Sequence, residues 1–138
     1  MTQGGMYNWR VKSVLDALAR QGKAEGPLTV EDLVGLGHLD QYHYLGVTAC
    51  DHVIELLGLE SGRTVLDIGS GIGGPARYLA ATTGCSVLGI EIQSALCEAA
   101  TELTSRAGLG ERVKYITADA AAMQEVVLPA PFQPHGEG

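Results

Sequence analysis

Glycines and carboxylates between positions 67 and 119 are the residues of this 138-residue chain best suited to ligand chemistry. Asp67 precedes the glycine-rich segment 69–74, and Glu91 and Asp119 follow it. Glycines tolerate positive φ angles and leave backbone N–H groups open to a ligand. Glu91 comes after Asp67 at close to the offset of about 20 residues at which an acid binds ribose hydroxyls. The spacing therefore indicates a nucleoside-containing ligand.

The elements that must position these residues are short strands and helices in alternation. Apolar runs typical of buried parallel strands occur at 64–68, 86–90 and 113–117. One intervening helix is expected to begin at Pro75, with Arg77 on its surface, and the next to begin at Ser94 as a capping residue. Such a βαβαβ unit brings the glycine segment and the carboxylates to one edge of a parallel sheet, with free loop amides facing a ligand.

Helical patterns also precede the sheet. The first has Arg10 on its polar face, the second is capped by Thr29, and the third, 47–57, has an expected inner face of Ala49, Val53, Leu56 and Leu57. The predicted organisation is a helical cap with a DQYHY loop at 1–60, the βαβαβ unit at 61–122 and an extended proline-rich tail at 123–138.

The glycine pattern leaves two ligand classes open. Gly69, Gly71 and Gly74 satisfy the GxGxxG pattern of dinucleotide-binding loops. Asp67 would then lie beside a pyrophosphate and repel it, whereas it would attract an ammonium or sulfonium group. The sequence therefore favours a zwitterionic ligand that carries adenosine over a dinucleotide.

Composition and charge exclude several kinds of partner. Nine basic and sixteen acidic residues leave a net charge of −7, so we expect neither nucleic acid nor a membrane surface as a partner. The three cysteines fit neither a disulfide framework nor a metal site, and no metal is expected. No apolar leader is visible near Met1, and we expect a cytoplasmic location.

Three short motifs resemble those of the class I S-adenosylmethionine (SAM)-dependent methyltransferases. They are VLDIGSGIGGPARYLA at 65–80, GIEI at 89–92 and TADA at 117–120. The segment LDQYH at 39–43 is similar to the entry segment of members that act on small molecules, above all the sarcosine/dimethylglycine N-methyltransferase-like enzymes. The resemblance implies an α/β fold with a Rossmann-like parallel sheet, here truncated to about three strands and preceded by N-terminal helices.

The resemblance also implies a role for each matching residue. Asp67 would hold the amino end of SAM, Glu91 would bind its ribose diol, and Ile92 would lie along the adenine face. The other implied cofactor-binding residues are Gly69, Ser70, Gly71 and Gly73 at the methionine end, and Asp119 and Ala120 at the adenine edge. Tyr42 and His43 would close over the cofactor or the substrate and are the candidate catalytic residues.

The implied activity is methyl transfer to a small molecule, for which an amine is the expected class. The family sheet has seven strands, but prolines 129, 131 and 134 do not suit a central fourth strand. The first strand would then have an open apolar edge, which a protein partner or a missing segment is expected to cover. A non-catalytic methyltransferase-like subunit with a structural role in an assembly is the alternative.

Overall fold

The computed structural model describes residues 4–41 and 46–121, which form helices followed by an alternation of strands and helices. The part before the sheet comprises α1 (Gly4–Arg20), α2 (Val30–Val34), a 3-10 turn (Gly37–Leu39) and α3 (Val47–Leu57). The sheet unit comprises β1 (Thr64–Ile68), α4 (Gly74–Thr83), β2 (Ser86–Glu91), α5 (Ser94–Arg106) and β3 (Val113–Thr117). The predicted tail lies outside the described residues. No helix of the described ranges is long and apolar enough to cross a membrane.

The three strands form one parallel sheet in the order β1-β2-β3. This confirms the predicted α/β fold. Asp67 pairs with Gly89 and Gly89 with Tyr115, so these three residues form one row across the sheet. Because the strands are parallel, Ile68, Glu91 and Thr117 end at the same edge.

Two apolar clusters hold the helices in place. Val65, Val87 and Val113 are aligned in register across the three strands, and they pack with residues of α3 and α4. Residues of α1, α2 and α5 form a second cluster around Leu18 and Leu103. The two connections, β1–α4–β2 and β2–α5–β3, step in the same direction along the sheet. Because such connections are right-handed, α4 and α5 lie on the same face of the sheet.

The outer edge of β1 is open within the described ranges, where β1 pairs with β2 alone. Leu66 is 50% exposed and Ile68 is 58% exposed, whereas their register partners Leu88 and Ile90 are buried. Among residues 4–41 and 46–121, the β1 edge is therefore open, as the sequence predicts. The description of 64–68 as a buried strand is wrong, since no described strand covers its second edge.

The predicted inner face of α3 is also wrong. Leu56 is 82% exposed and Leu57 is 59% exposed, while Cys50 and Ile54 pack against α4. The helix carries more than one apolar stripe, and contact with α4 decides which stripe is buried.

The two predicted helix caps have different outcomes. Thr29 caps α2 in a capping box with Asp32, as predicted. Ser94 does not cap α5: it is the first helical residue, and Gln93 occupies the cap position without a side-chain hydrogen bond. The Gln93 amide instead donates to Glu91 Oε2 at 3.0 Å.

Candidate functional site

The glycine loop between β1 and α4 turns sharply because three of its glycines have positive φ. The φ angles are +75° at Gly69, +58° at Gly71 and +91° at Gly73. A residue with a side chain is strained in this region, so the turn requires glycine. The loop thereby connects the end of β1 to the first turn of α4.

Four amides of this loop donate within the protein. The Gly69 and Ser70 amides donate to the Ile90 carbonyl, the Gly71 amide donates to Glu91 Oε1 at 2.8 Å, and the Gly73 amide donates to the Ser70 carbonyl. The expectation that the loop presents free amides is therefore wrong for these four. These four hydrogen bonds fix the shape of the loop, and a ligand must rely on groups other than these four amides.

Gly73 and Gly89 make room for Tyr115 beneath the loop. A Cβ at Gly73 would collide with the Tyr115 hydroxyl, and one at Gly89 would lie 2.6 Å from Ser70 Oγ and 2.7 Å from the Tyr115 ring. The Tyr115 hydroxyl also lies 2.8 Å from Thr104 Oγ1. Gly73 therefore allows close packing inside the protein, whereas a Cβ at Gly69 would meet nothing within 4 Å.

Asp67 brings a buried acceptor to the end of β1. Its Oδ2 is buried and has no hydrogen-bond partner among the described residues. Burial, and after it the nearby negative charge of Glu91, raise the pKa of Asp67 from 3.8 to about 6. Ser70 Oγ is also buried without such a partner. These are polar atoms that a ligand can satisfy.

Glu91 is held in place by two main-chain donors. It is 7% exposed, its Oε1 accepts from the Gly71 amide at 2.8 Å, and its Oε2 accepts from the Gln93 amide at 3.0 Å. Each carboxylate oxygen can accept a further hydrogen bond. The side chain therefore links the glycine loop to the start of α5 and retains acceptor capacity.

Two clefts meet at Gly69, each with a volume of about 220 Å³. The first contains all four adenosine-side residues predicted from the sequence; its lining is Ile68, Gly69, Ile90, Glu91, Ile92, Ala118, Asp119 and Ala120. The second lies over the glycine loop; its lining is Arg10, Asp40, Gly69, Ser70, Gly71, Ile72 and Pro75.

The exposed residues of the first cleft provide an apolar surface and a carboxylate. Ile92 is 57% exposed. Asp119 is exposed, and its Oδ1 accepts from the Ala121 amide at 3.0 Å. The structure thus brings the predicted residues Glu91, Ile92 and Asp119 to one cleft at the carboxyl edge of the sheet.

Arg77 contradicts the expectation of a surface residue, since its side chain is only 1% exposed. It ion-pairs with Asp40, Nη2 to Oδ1, at 2.7 Å. Its Nη1 donates to the Ile72 carbonyl at 2.9 Å and to Thr104 Oγ1 at 3.2 Å. Its contacts lie 5, 27 and 37 residues away in the sequence, and local periodicity cannot reveal partners so distant.

The network around Asp40 continues toward α3. Gln41 Nε2 donates to Asp40 Oδ2 at 3.2 Å, and the Cys50 thiol donates to Gln41 Oε1 at 3.6 Å. Asp40 and Gln41 are each 3% exposed. Tyr42 and His43, which follow them, lie outside the described residues.

Sequence reasoning also missed Arg10, which it placed on the polar face of α1. The structure places its Nη1 3.4 Å from the position that a Cβ at Gly71 would occupy. Arg10 is partly buried and lines the second cleft. Its separation of about 60 positions from the loop hid this contact from local patterns.

Comparisons with known proteins agree with the motifs. Residues 65–132 match the family model described as a methyltransferase domain. Over 62 residues the chain is 40% identical to a sterol 24-C-methyltransferase of Eremothecium gossypii, in a match that covers 45% of this chain and 17% of that protein.

Two crystal structures in complex with S-adenosyl-L-homocysteine are also similar. One is a SAM-dependent methyltransferase from Thiobacillus denitrificans, with a TM-score of 0.53, 26% identity and coverage of 70% of this chain and 39% of that chain. The other is an RNA methyltransferase from Salinibacter ruber, with a TM-score of 0.50, 29% identity and coverage of 52% and 47%.

The chain spans less than a fifth of the sterol methyltransferase and less than half of either solved chain. The shared part contains the glycine loop and the acids Asp67 and Glu91 near the ends of the first two strands. SAM is the cofactor of the family to which these motifs and this sheet point. Over residues 65–132, the chain matches the methyltransferase domain family, and its fold is similar to that of a solved SAM-dependent methyltransferase.

Proposed function

We propose that this chain binds SAM along the two clefts that meet at Gly69 and takes part in methyl transfer to a small molecule. The observation that carries the proposal is that both clefts are lined by Gly69. Glu91, Ile92, Asp119 and Ala120 line one side of Gly69, and the glycine loop lines the other. A ligand with an adenosine at one end and an amino acid at the other fits this division.

The buried acceptor at Asp67 supports the amino-acid end of this ligand. An ammonium group would donate to Oδ2, which has no partner among the described residues. It would also offset the burial and the Glu91 charge that raise the Asp67 pKa to about 6. A pyrophosphate would add negative charge at the same place, so Asp67 supports SAM over a dinucleotide.

The first cleft supports the adenosine end. Two amides already orient Glu91, and its remaining acceptor capacity suits the two hydroxyls of a ribose. The exposed side chain of Ile92 offers an apolar surface to the adenine ring. The carboxylate of Asp119 and the main chain of Ala120 are the proposed partners of the adenine edge.

When bound, SAM supplies a methyl group on a positively charged sulfur. The task of the protein is to place the acceptor atom in line at about 3 Å from that carbon and to exclude water. We assign Tyr42 and His43, beyond the described residues, to closing over the cofactor or the substrate. A base is needed where an amine arrives protonated, and His43 is our candidate.

A small molecule is the acceptor class that the charge of the chain favours. With a net charge of −7, the chain repels nucleic acid, although one structural relative is named as an RNA methyltransferase. The name of the sterol relative indicates a carbon acceptor. The amine assignment rests on the similarity of the LDQYH segment to N-methyltransferases.

The open edge of β1 supports a further proposal, that another polypeptide segment or a protein partner completes the sheet. Leu66 and Ile68 expose apolar surface there. The same edge suits a non-catalytic subunit that contributes this sheet to an assembly. Cofactor binding distinguishes the two functions, because an assembly role alone does not need a ligand at Glu91 and Ile92.

The test is calorimetric titration of the folded chain with S-adenosyl-L-homocysteine and, separately, with NAD. We expect micromolar binding of the first ligand and none of the second. Ile92→Ala should weaken binding at least fivefold, because it removes the apolar surface under adenine. Leu56→Ala is the matched control, since Leu56 is also exposed but lies on α3, outside both clefts.

Each outcome separates the alternatives. Equal affinities of the Ile92→Ala protein and the parent chain would remove the proposed adenine site. Binding of neither ligand by a folded chain would favour the assembly role. Tighter binding of NAD would show that the glycine loop binds a dinucleotide and not SAM.

A further inference from the structure

Arg10 brings a positive charge from α1 to the glycine loop. Its Nη1 lies 3.4 Å from the place of a Cβ at Gly71, and the guanidinium lines the same cleft as Gly69 and Ser70. Because Gly71 has no side chain, nothing on that residue separates the guanidinium from the loop. A ligand group above the loop therefore meets Arg10.

The charges around the two clefts show why this position matters. Asp67, Glu91 and Asp119 are all acidic, and so is Asp40, which lines the second cleft and pairs with Arg77. Among the described residues that line the clefts, Arg10 is the cationic one. Arg77 is close to the loop as well, but it is buried and pairs with Asp40 beneath the loop.

The loop itself offers little to an anion. The amides of Gly69, Ser70, Gly71 and Gly73 all donate within the protein. None of these four amides is left for a carboxylate at this end of the ligand, and a side-chain donor would bind it instead. A guanidinium suits it well, since it can present two parallel N–H groups to the two carboxylate oxygens.

We infer that Arg10 binds the carboxylate at the amino-acid end of the cofactor and so selects adenosyl ligands that retain that carboxylate. The inference rests on the proposed function, because it assigns a partner to one end of the same ligand. Asp67 and Arg10 together would distinguish a zwitterionic amino acid from a simple amine. Arg10 is then a specificity-determining residue contributed by the N-terminal helix.

The test compares S-adenosyl-L-homocysteine with its decarboxylated analogue, which retains the adenosine, the sulfur and the ammonium group. We expect the parent chain to bind the carboxylate-bearing ligand at least tenfold more tightly. Arg10→Gln should abolish that preference and leave the affinity for the decarboxylated analogue within twofold. Arg10→Lys should retain part of the preference, because it keeps the charge and loses the planar pair of donors.

Arg20→Gln is the matched control, since it removes the same charge from an exposed position at the end of α1. It should leave the preference intact. The inference is overturned if the parent chain binds both ligands equally, or if Arg10→Gln keeps the preference or weakens both ligands alike. Failure of the parent chain to bind either ligand would instead overturn the proposed function itself, and the inference with it. Thermal unfolding of each variant checks that it is folded, so that the affinities of folded proteins are compared.

Discussion

The guanidinium of Arg77 and the carboxylate of Asp40 form an ion pair of 2.7 Å, with the two side chains 1% and 3% exposed. The pair joins the segment before α3 to the first turns of α4. Gly74 lies directly under this segment, because a Cβ there would collide with the Asp40 carbonyl. The N-terminal segment is therefore tightly packed against the element that follows the glycine loop.

Breaking this buried pair from either side should destabilise the fold strongly. Arg77→Met and Asp40→Asn should each lower the free energy of unfolding by about 3–5 kcal/mol, because each leaves an uncompensated buried charge. The double variant should lose no more than either single one. Urea unfolding followed by circular dichroism measures all three, and additive losses would show that the two charges are not coupled.

Asp67→Asn should stabilise the ligand-free chain at neutral pH. The pKa of Asp67 is raised from 3.8 to about 6, so its ionisation opposes folding. The loss of stability caused by ionised Asp67 is absent below pH 3.8, grows as the pH rises and is complete above about pH 6. The variant should gain roughly 1–3 kcal/mol at pH 7.5 and little at pH 4.

Unfolding curves at the two pH values test this expectation, and an equal gain at both would exclude ionisation as the cause. The same variant should bind S-adenosyl-L-homocysteine at least tenfold more weakly at pH 7.5. The carboxylate would thus favour ligand binding at a cost to stability, as is common where groups are arranged for function.

Two glycines of the loop should respond differently to alanine. Gly73→Ala should destabilise the fold by more than about 2 kcal/mol, since its Cβ would collide with Tyr115 in addition to straining the backbone. Gly69→Ala should cost only about 1–2 kcal/mol, because a Cβ there meets nothing within 4 Å. Adding Tyr115→Phe should partly restore the Gly73→Ala protein in thermal unfolding. Equal losses for the two alanine variants would contradict this packing.

We expect the open edge of β1 to pair with a second copy of the chain, and a charge on this edge should reduce such self-association. Leu66→Lys should keep the free energy of unfolding within about 0.5 kcal/mol and lower the oligomer fraction in sedimentation velocity. Leu88→Lys, at the register partner of Leu66 on β2, should unfold the chain because Leu88 is only 2% exposed. Unfolding by Leu66→Lys would mean that this edge is covered in solution.

The sequence was sufficient to predict features that depend on local patterns. The alternation of strands and helices, the Thr29 cap and the placement of Glu91 and Asp119 in one cleft follow from short-range periodicity and the topology of parallel sheets. The expectation that Ile92 joins them came from the resemblance of the GIEI motif to the methyltransferases. The open β1 edge was expected from the resemblance, which implies a seven-stranded sheet with the first strand in the middle, whereas the described residues supply three strands.

Features that depend on distant contacts could not be predicted in this way. Arg77 resembles a surface residue until Asp40, 37 positions earlier, is known to pair with it. Arg10 reaches the glycine loop only because α1 packs against α5. The amides of Gly69, Ser70 and Gly71 looked free because their acceptors, the Ile90 carbonyl and the Glu91 side chain, lie on another strand.

The two amide contacts of Glu91 lower the entropic cost of ligand binding. Folding itself fixes the direction of this carboxylate through Gly71 and Gln93. When a ligand binds in the first cleft, the Glu91 carboxylate is already oriented. The Glu91 side chain therefore loses little conformational entropy on binding. The carboxylate is thus a preorganised receptor, and its readiness for a ligand depends on the integrity of the glycine loop.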